Sequence, residues 1–152
     1  MIVGSTLMAV DNRGSASKIH ENKNQPLTLT RSQQVDYFER KLDDKRRLTI
    51  PTELRAEFAS GVVVTRGFKQ YLHLYPKSVW IEDVEPLLKG NILDEATADL
   101  NVQFRTGKNE SEIDAKQGRF SLEKHLMDYA GITRDVVAVR VGKYWRLQAK
   151  AK

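Results

Sequence analysis

Two short segments of the chain place an aspartate and an arginine on either side of a polar turn. The first segment is residues 43–47 (DDKRR), and the second is residues 114–119 (DAKQGR). An arginine beside a tight turn can present its planar guanidinium group as a fork that donates two hydrogen bonds to a phosphate or a guanine edge. Arg47 and Arg119 are therefore candidate nucleic-acid contacts, which become the favoured interpretation once the repeat and the family resemblance below are added.

The charged neighbours of these arginines suggest supporting roles. Asp43 and Asp114 can brace the arginines through charge-assisted hydrogen bonds. Further phosphate contacts, which set affinity rather than sequence choice, are predicted for Lys45, Arg46, Arg40 and Lys116. The residues alone leave one alternative open, in which the aspartates only stabilise their turns and the arginines stay solvated.

The two turns belong to an internal repeat with an offset of 72 residues. Residues 47–54 (RLTIPTEL) match residues 119–126 (RFSLEKHL), and their apolar positions coincide. Each copy continues with a valine-rich run and a second alternating run, at 62–64 and 71–75 and again at 136–139 and 144–147. A repeated half that cannot bury its own apolar face is expected to pair with the other half.

Each copy is predicted to fold as a ββαββ-like unit. In the first copy, alternation predicts strands at 37–40 and 48–50, and the turn at 43–46 could close them into a hairpin. Pro51 favours the start of a short helix that carries Leu54 and Phe58. The second copy repeats this order, with a turn at 114–118, a helix at about 123–130 and Gly131 as its stop.

Helical segments are predicted between the two copies. Ser78 can cap a helix that Pro86 ends or kinks. Leu93, Ala96, Leu100 and Phe104 follow helical spacing, which predicts a second linker helix. The predicted fold class is α+β, with a helical linker at 81–108 between a first unit at 36–80 and a second unit at 109–150.

Residues 1–35 differ in composition from the rest of the chain. They contain no aromatic residue, and polar residues dominate from Asp11 onward. We interpret this segment as a disordered or weakly ordered extension, and a solvated tail is favoured over a phosphate-contacting one.

The two turns, together with the repeat, resemble the AbrB/MraZ superfamily of swapped-hairpin DNA-binding barrels. The family pattern is an Asp-x-Lys-Gly-Arg turn followed by a Leu-x-Ile-Pro strand exit, matched here by residues 43–51 and more loosely by 114–122. Residues 74–80 and 128–132 also resemble the MraZ pattern. Arg46 stands at the position of the turn glycine, where a positive φ would be strained, and the second turn is one residue longer.

The resemblance implies a fold and a function. It implies a β-barrel of two tandem swapped-hairpin units with short helices. It also implies a transcriptional regulator, favoured as a repressor, that binds double-stranded DNA at repeated promoter boxes upstream of the division and cell-wall gene cluster. MraZ proteins form rings of protomers, so a homo-oligomer, possibly a ring, is implied as well.

Composition restricts the other function classes. The formal net charge of +5 is compatible with a nucleic-acid partner, and the absence of cysteine excludes thiolate chemistry. Residues 1–10 lack the basic start of a signal peptide, and no apolar run approaches the roughly 18 residues of a membrane span. We expect a cytoplasmic, nucleoid-associated protein without a membrane partner.

Enzymatic chemistry is not expected. His20, His73 and His125 are scattered and lack the spacing of metal ligands, so neither a metal nor a cofactor is predicted. A base-stacking platform is conceivable from five aromatic residues, but their strand alternation favours core or protomer contacts; they are Tyr71, Tyr75, Trp80, Tyr144 and Trp145. The alternative to DNA binding is a protein-interaction module that acts as an antitoxin or restrains a partner enzyme.

Overall fold

The computed structural model describes residues 35–91 and 93–151. Nearly all of the proposed N-terminal extension, residues 1–34, lies outside the described residues. Within these ranges the chain forms eight strands: β1 (Tyr37–Lys41), β2 (Arg47–Thr49), β3 (Val62–Arg66), β4 (Leu72–Pro76), β5 (Asn109–Ser111), β6 (Arg119–Ser121), β7 (Asp135–Val141) and β8 (Tyr144–Ala149). The α-helices are α1 (Lys77–Val79), α2 (Glu85–Leu88), α3 (Glu95–Arg105) and α4 (Lys124–Ala130). The fold is therefore α+β, as predicted.

The strands of the two halves interleave. Six strands form an antiparallel sheet in the order β1-β7-β8-β4-β3-β5, and β2 and β6 form a separate two-stranded ribbon. Four of these strand pairs join one half to the other: β1 with β7, β2 with β6, β3 with β5 and β4 with β8. The two halves therefore depend on each other for their backbone hydrogen bonds.

The predicted hairpin between residues 37–40 and 48–50 is wrong in its pairing. The turn itself forms, with the Asp43 amide donating to the Arg47 carbonyl at 3.2 Å. The strands then separate, so that Phe38 lies beside Ala138 and Leu48 lies beside Phe120. Phe38, Leu48 and Phe120 are all buried in one core, which explains why pairing with the other half wins.

The large sheet is covered on both faces. One face packs on the main core, which includes Leu48, Phe120 and Trp145. The other face carries a smaller cluster in which Val63 and Tyr75 pack with residues of the helical segment between the halves. Neighbouring strand residues point to opposite faces, which explains why β3 and β4 are buried almost throughout.

The first linker helix differs from its prediction at its start. It begins at Lys77 after Pro76, and the Ser78 amide donates to Ser60 Oγ at 3.1 Å, so Ser78 is not its cap. A π-helical turn at Trp80–Val84 separates α1 from α2, and α2 carries Pro86 in its first turn. Proline lacks the amide that an α-helix needs, so the interruption before Pro86 fits the predicted kink.

The remaining helices follow the predictions in part. Helix α3 is capped by Asp94, whose Oδ2 accepts from the Thr97 amide at 3.3 Å. Its Phe104 is buried, whereas Leu100 is exposed. Helix α4 ends at Gly131 with a φ of 67°, as expected of a helix stop. The short helix predicted after Pro51 is only a 3₁₀ turn at Thr52–Leu54 followed by further turns.

Candidate nucleic-acid interface

The first turn is organised around the carboxylate of Asp43. Its Oδ1 accepts from the amides of Lys45 and Arg47, each at 2.9 Å. Its Oδ2 accepts from Arg47 Nε at 2.6 Å, which fixes the direction of the guanidinium group. Within the described part of the chain, no hydrogen bond engages the two terminal nitrogens of Arg47. The half-buried arginine is therefore held at one edge and open at the other.

The second turn has the same plan with one more residue. Asp114 Oδ1 accepts from the amides of Lys116 and Gln117 at 2.7 and 3.0 Å. Asp114 Oδ2 accepts from Arg119 Nη2 at 3.1 Å. The extra residue is accommodated inside the turn, and Asp114 still contacts the arginine.

One ion pair joins the two turns. Arg119 Nη1 lies 3.8 Å from Asp43 Oδ2, the same oxygen that accepts from Arg47. The β2–β6 ribbon produces this closeness, because it pairs Arg47 with Ser121 and Thr49 with Arg119. Two residues that are 72 positions apart in the chain thus share one carboxylate and lie on one surface.

The position before each arginine adopts the left-handed backbone conformation. Arg46 has a φ of 59° and Gly118 a φ of 64°. This confirms that Arg46 occupies the turn-glycine position despite its side chain. Left-handed conformations cost a non-glycine residue roughly 1–2 kcal/mol, so the first turn holds strain that the second avoids.

Two further arginine contacts lie behind the turns. Arg46 Nε donates to the Leu122 carbonyl at 3.4 Å. Arg55 Nε donates to the Ile50 carbonyl at 3.2 Å, and Arg55 Nη2 donates to the Gln117 carbonyl at 3.0 Å. Sequence reasoning missed Arg55. The repeat did offer a signal, since the residue at the equivalent position of the second copy is the neutral Met127.

The other proposed cations are divided between two places. Lys45 and Lys116 are exposed within the turns. Arg40 lies on β1, where it donates to the Glu39 carbonyl at 2.9 Å and sits 5.8 Å from the Phe38 ring centroid. No contact between described residues links Arg40 to either turn, so the structure does not bring it to the same cluster.

The turn carboxylates are stabilised as anions. The backbone hydrogen bond from Arg47 is the main cause that lowers the pKa of Asp43, with help from the Arg47 side chain. The backbone hydrogen bond from Gln117 is the main cause for the lowered pKa of Asp114, followed by the backbone hydrogen bond from Lys116 and the side-chain hydrogen bond from Arg119. Both aspartates are therefore charged at neutral pH and can hold the arginines in place.

The aromatic residues considered for base stacking are mostly inside the protein. Trp80, Trp145 and Tyr75 are buried. His73 is also buried and lies 2.8 Å from the Tyr75 hydroxyl through its Nδ1, and burial lowers the pKa of His73 to about 4. These positions favour the core interpretation over a stacking platform.

Two features of the described residues bear on other function classes. Among residues 35–91 and 93–151, no three His, Cys, Asp or Glu side chains are grouped so that they could hold a metal ion. Over the same ranges, no helix has both the length and the apolar character that crossing a membrane requires.

Comparison with known proteins assigns the family. Residues 36–100 match the family model described as "MraZ protein, putative antitoxin-like". The chain is 36% identical over 107 residues to the "Transcriptional regulator MraZ" of Herpetosiphon aurantiacus, which covers 70% of this chain and 74% of the relative. It is 32% identical over 111 residues to the protein of the same name from Clostridium tetani, covering 73% and 78%. With these similarities added to the two arginine-bearing turns, the chain belongs to the MraZ family.

Proposed function

We propose that the chain is a sequence-specific regulator of transcription that binds double-stranded DNA through Arg47 and Arg119. The observation that carries the proposal is the shared carboxylate of Asp43, which lies 2.6 Å from Arg47 and 3.8 Å from Arg119. Two guanidinium groups on one surface can contact neighbouring positions of one duplex. The name that the relatives carry, transcriptional regulator, supports the same function.

The finer parts of the proposal concern fold and assembly. We propose that the strand pairs between the halves form a tandem swapped-hairpin barrel, with units at 36–80 and 109–150 around a linker at 81–108. The target is a set of repeated promoter boxes of the division and cell-wall gene cluster, where the protein acts as a repressor on the nucleoid. One chain neutralises only a few phosphates, so an oligomer on spaced repeats would supply the missing affinity.

The cations divide into two roles. Arg47 and Arg119 are proposed to read base edges or clamp phosphates, because a guanidinium fork can donate two parallel hydrogen bonds. Lys45, Arg46 and Lys116 contribute phosphate contacts near the turns, and Arg40 contributes from a separate position on β1. Asp43 and Asp114 hold the two forks in their orientation.

The experiment is a gel-shift titration with DNA from upstream of the gene that encodes the chain. Arg47→Ala combined with Arg119→Ala should abolish specific binding while circular dichroism stays unchanged. Lys89→Ala combined with Lys143→Ala removes the same charge from exposed positions away from the turns and should retain binding. Unchanged affinity of the arginine double variant, or equal loss in both variants, would refute the assignment.

A second candidate is a protein-interaction module, which the antitoxin-like description of the family model favours. The two functions differ in their response to salt. DNA binding falls steeply as salt rises, with a log–log slope of about −0.9 for each phosphate neutralised. A chain that binds a partner protein but shows no promoter affinity at low salt would support the second candidate.

A further inference from the structure

A surface pocket lies beside the two arginine-bearing turns. Its volume is about 340 Å³, and its walls come from β2, β5, β6 and the residues next to them. Arg47, Asp114 and Arg119 line it, and so do two carboxylates outside the turns, Glu112 and Glu123. The pocket therefore sets cationic donors beside anionic acceptors, on the surface that we propose binds DNA.

Arg47 supplies the free donors of this pocket. Its Nε is held by Asp43, and no hydrogen bond between described residues engages its two terminal nitrogens. The guanidinium group of Arg119 is more occupied, because its Nη2 donates to Asp114 and its Nη1 lies 3.8 Å from Asp43. Arg47 therefore keeps a pair of donors available for a group that enters the pocket.

Glu123 lies on the same side of the β2–β6 ribbon as Arg47. Ser121 is directly opposite Arg47 in the strand pairing, so their side chains share one face. Ser121 is exposed, Leu122 is buried and Glu123 is partly exposed, and this alternation continues beyond the end of β6. The backbone at Glu123 is still extended, with a φ of −66° and a ψ of 143°. The carboxylate of Glu123 is thus directed to the side where Arg47 lines the pocket.

The fold makes no use of the carboxylate of Glu123. Glu123 is the N-cap residue of α4, but its side chain forms no capping hydrogen bond. Among residues 35–91 and 93–151, its carboxylate takes part in no hydrogen bond or ion pair. Its counterpart in the first copy is Pro51, which has no side-chain acceptor. The free acceptor is therefore a property of one half of the molecule, and helix capping does not account for it.

The charges of the pocket distinguish between the groups that DNA presents. A phosphate carries negative charge and offers only acceptors, so Glu112 and Glu123 repel it. In the major groove, a G·C pair offers O6 and N7 of guanine as acceptors and the N4 amino group of cytosine as a donor. Arginine pairs with the first two atoms and glutamate with the third. A free guanidinium group beside a free carboxylate therefore complements the edge of a G·C pair.

We propose that Glu123 determines specificity at one position of the DNA site by accepting a hydrogen bond from the N4 amino group of a cytosine. Arg47 contacts the guanine of the same or the neighbouring base pair. This inference rests on the proposed function, because it requires the pocket to face a duplex. Glu123 lowers the affinity for DNA in general, since its charge opposes the phosphates. Its contribution is discrimination, because a base without the amino group leaves the carboxylate desolvated and unpaired.

Selection from a library of random duplexes tests the proposal with the full chain, comparing the unsubstituted protein with Glu123→Ala and Glu82→Ala. Glu82 is an exposed carboxylate of the helical linker, so its substitution removes the same charge away from the pocket. Glu123→Ala should lose a preference for cytosine of at least about fivefold at one position and keep the preferences at the others. Glu82→Ala should enrich the same sequence as the unsubstituted chain.

A second measurement separates base reading from simple repulsion. Fluorescence anisotropy gives the affinities for the enriched duplex and for a duplex of unrelated sequence. Glu123→Ala should weaken binding to the enriched duplex at least about fivefold and should not weaken binding to the unrelated duplex, since a negative charge is removed. A structural role would weaken both, and a carboxylate that only repels DNA would strengthen both by the same factor. Either result would overturn the proposal.

The outcomes also separate this inference from the proposed function. If the unsubstituted chain enriches no sequence, the proposed function fails together with the inference. If it enriches a sequence and Glu123→Ala enriches the same one with equal preference, the inference fails and the proposed function stands. A cytosine preference that is lost in Glu112→Ala but kept in Glu123→Ala would overturn the assignment to Glu123.

Discussion

The two arginine-bearing turns reach nearly the same geometry with different residues. In the first turn, Arg46 holds a φ of 59°, whereas Gly118 holds 64° in the second. A Cβ at Gly118 would overlap the Arg55 guanidinium group, so a side chain there would require Arg55 to move. The first turn contains its own arginine, Arg46, whereas the second turn is contacted by Arg55 from the segment after β2.

As a result, the carbonyl group that follows β2 and the one that follows β6 each accept a hydrogen bond from an arginine. Arg46 Nε approaches the Leu122 carbonyl, and Arg55 Nε approaches the Ile50 carbonyl. The two halves therefore keep a similar backbone path, although the arginine that contacts the equivalent carbonyl comes from a different part of the chain in each half. The halves are also unequal, because Asp43 lies within ion-pair distance of both candidate arginines, Arg47 and Arg119, whereas among the described residues Asp114 pairs only with Arg119.

The largest expected difference concerns DNA binding by the two aspartate variants. Asp43→Asn should weaken promoter binding by about tenfold or more, since this carboxylate orients two arginines through charge-assisted hydrogen bonds. Asp114→Asn should weaken it less, because Arg119 retains its contact with Asp43. Fluorescence anisotropy with labelled promoter DNA measures both. A larger loss for Asp114→Asn would reverse the proposed order.

A smaller difference is expected in stability at the left-handed position. Gly118→Ala should lower the free energy of unfolding by at least about 1–2 kcal/mol, because it adds left-handed strain and a clash with Arg55. Arg46→Gly should change it by less than about 1 kcal/mol, since relief of strain opposes the added chain entropy of glycine. Urea denaturation measures both values. Equal destabilisation would show that the turns do not differ in this way.

The space beside Gly118 provides a control for that experiment. Arg55→Ala removes the side chain that a Cβ would meet. Gly118→Ala should therefore lower the free energy of unfolding by less in the Arg55→Ala background than in the unsubstituted chain. The difference between these two values, from a double-mutant cycle, separates the clash with Arg55 from the backbone strain.

The smallest effect is a dependence of stability on acid. Asp43 and Asp114 have lowered pKa values in the folded state, so their contribution is present above the ordinary carboxylate range and is lost as pH falls through the folded values. Thermal denaturation between pH 5 and about pH 2 should show a flatter acid limb for Asp43→Asn than for the unsubstituted chain. Parallel limbs would mean that Asp43 makes no such contribution.

The positions of the strands could be predicted from the sequence better than the partners with which they pair. Valine-rich runs identified β3 and β7, and alternating runs identified β4 and β8, because both patterns depend only on the sequence of the strand itself. The partner of β1 could not be derived in this way, since nothing near Phe38 specifies Ala138 as its neighbour. The resemblance to swapped-hairpin proteins carried information on that point that periodicity lacked.

The candidate site shows the same division. The turns and their arginines were identifiable from residue types and the repeat. The contribution of Arg55 depends on a contact across 62 residues with the Gln117 carbonyl, and the pocket beside the turns depends on the pairing of β2 with β6. Such features arise only when distant elements meet.

Photo-crosslinking tests most directly whether both turns face one duplex. A photoreactive benzoylphenylalanine replaces Lys45 or Lys116, the exposed lysines of the two turns, with replacement of Lys143 as the control. The account predicts that both turn positions crosslink to one short promoter duplex and that the control does not. Crosslinking from only one turn, or from Lys143 as efficiently as from the turns, would contradict it.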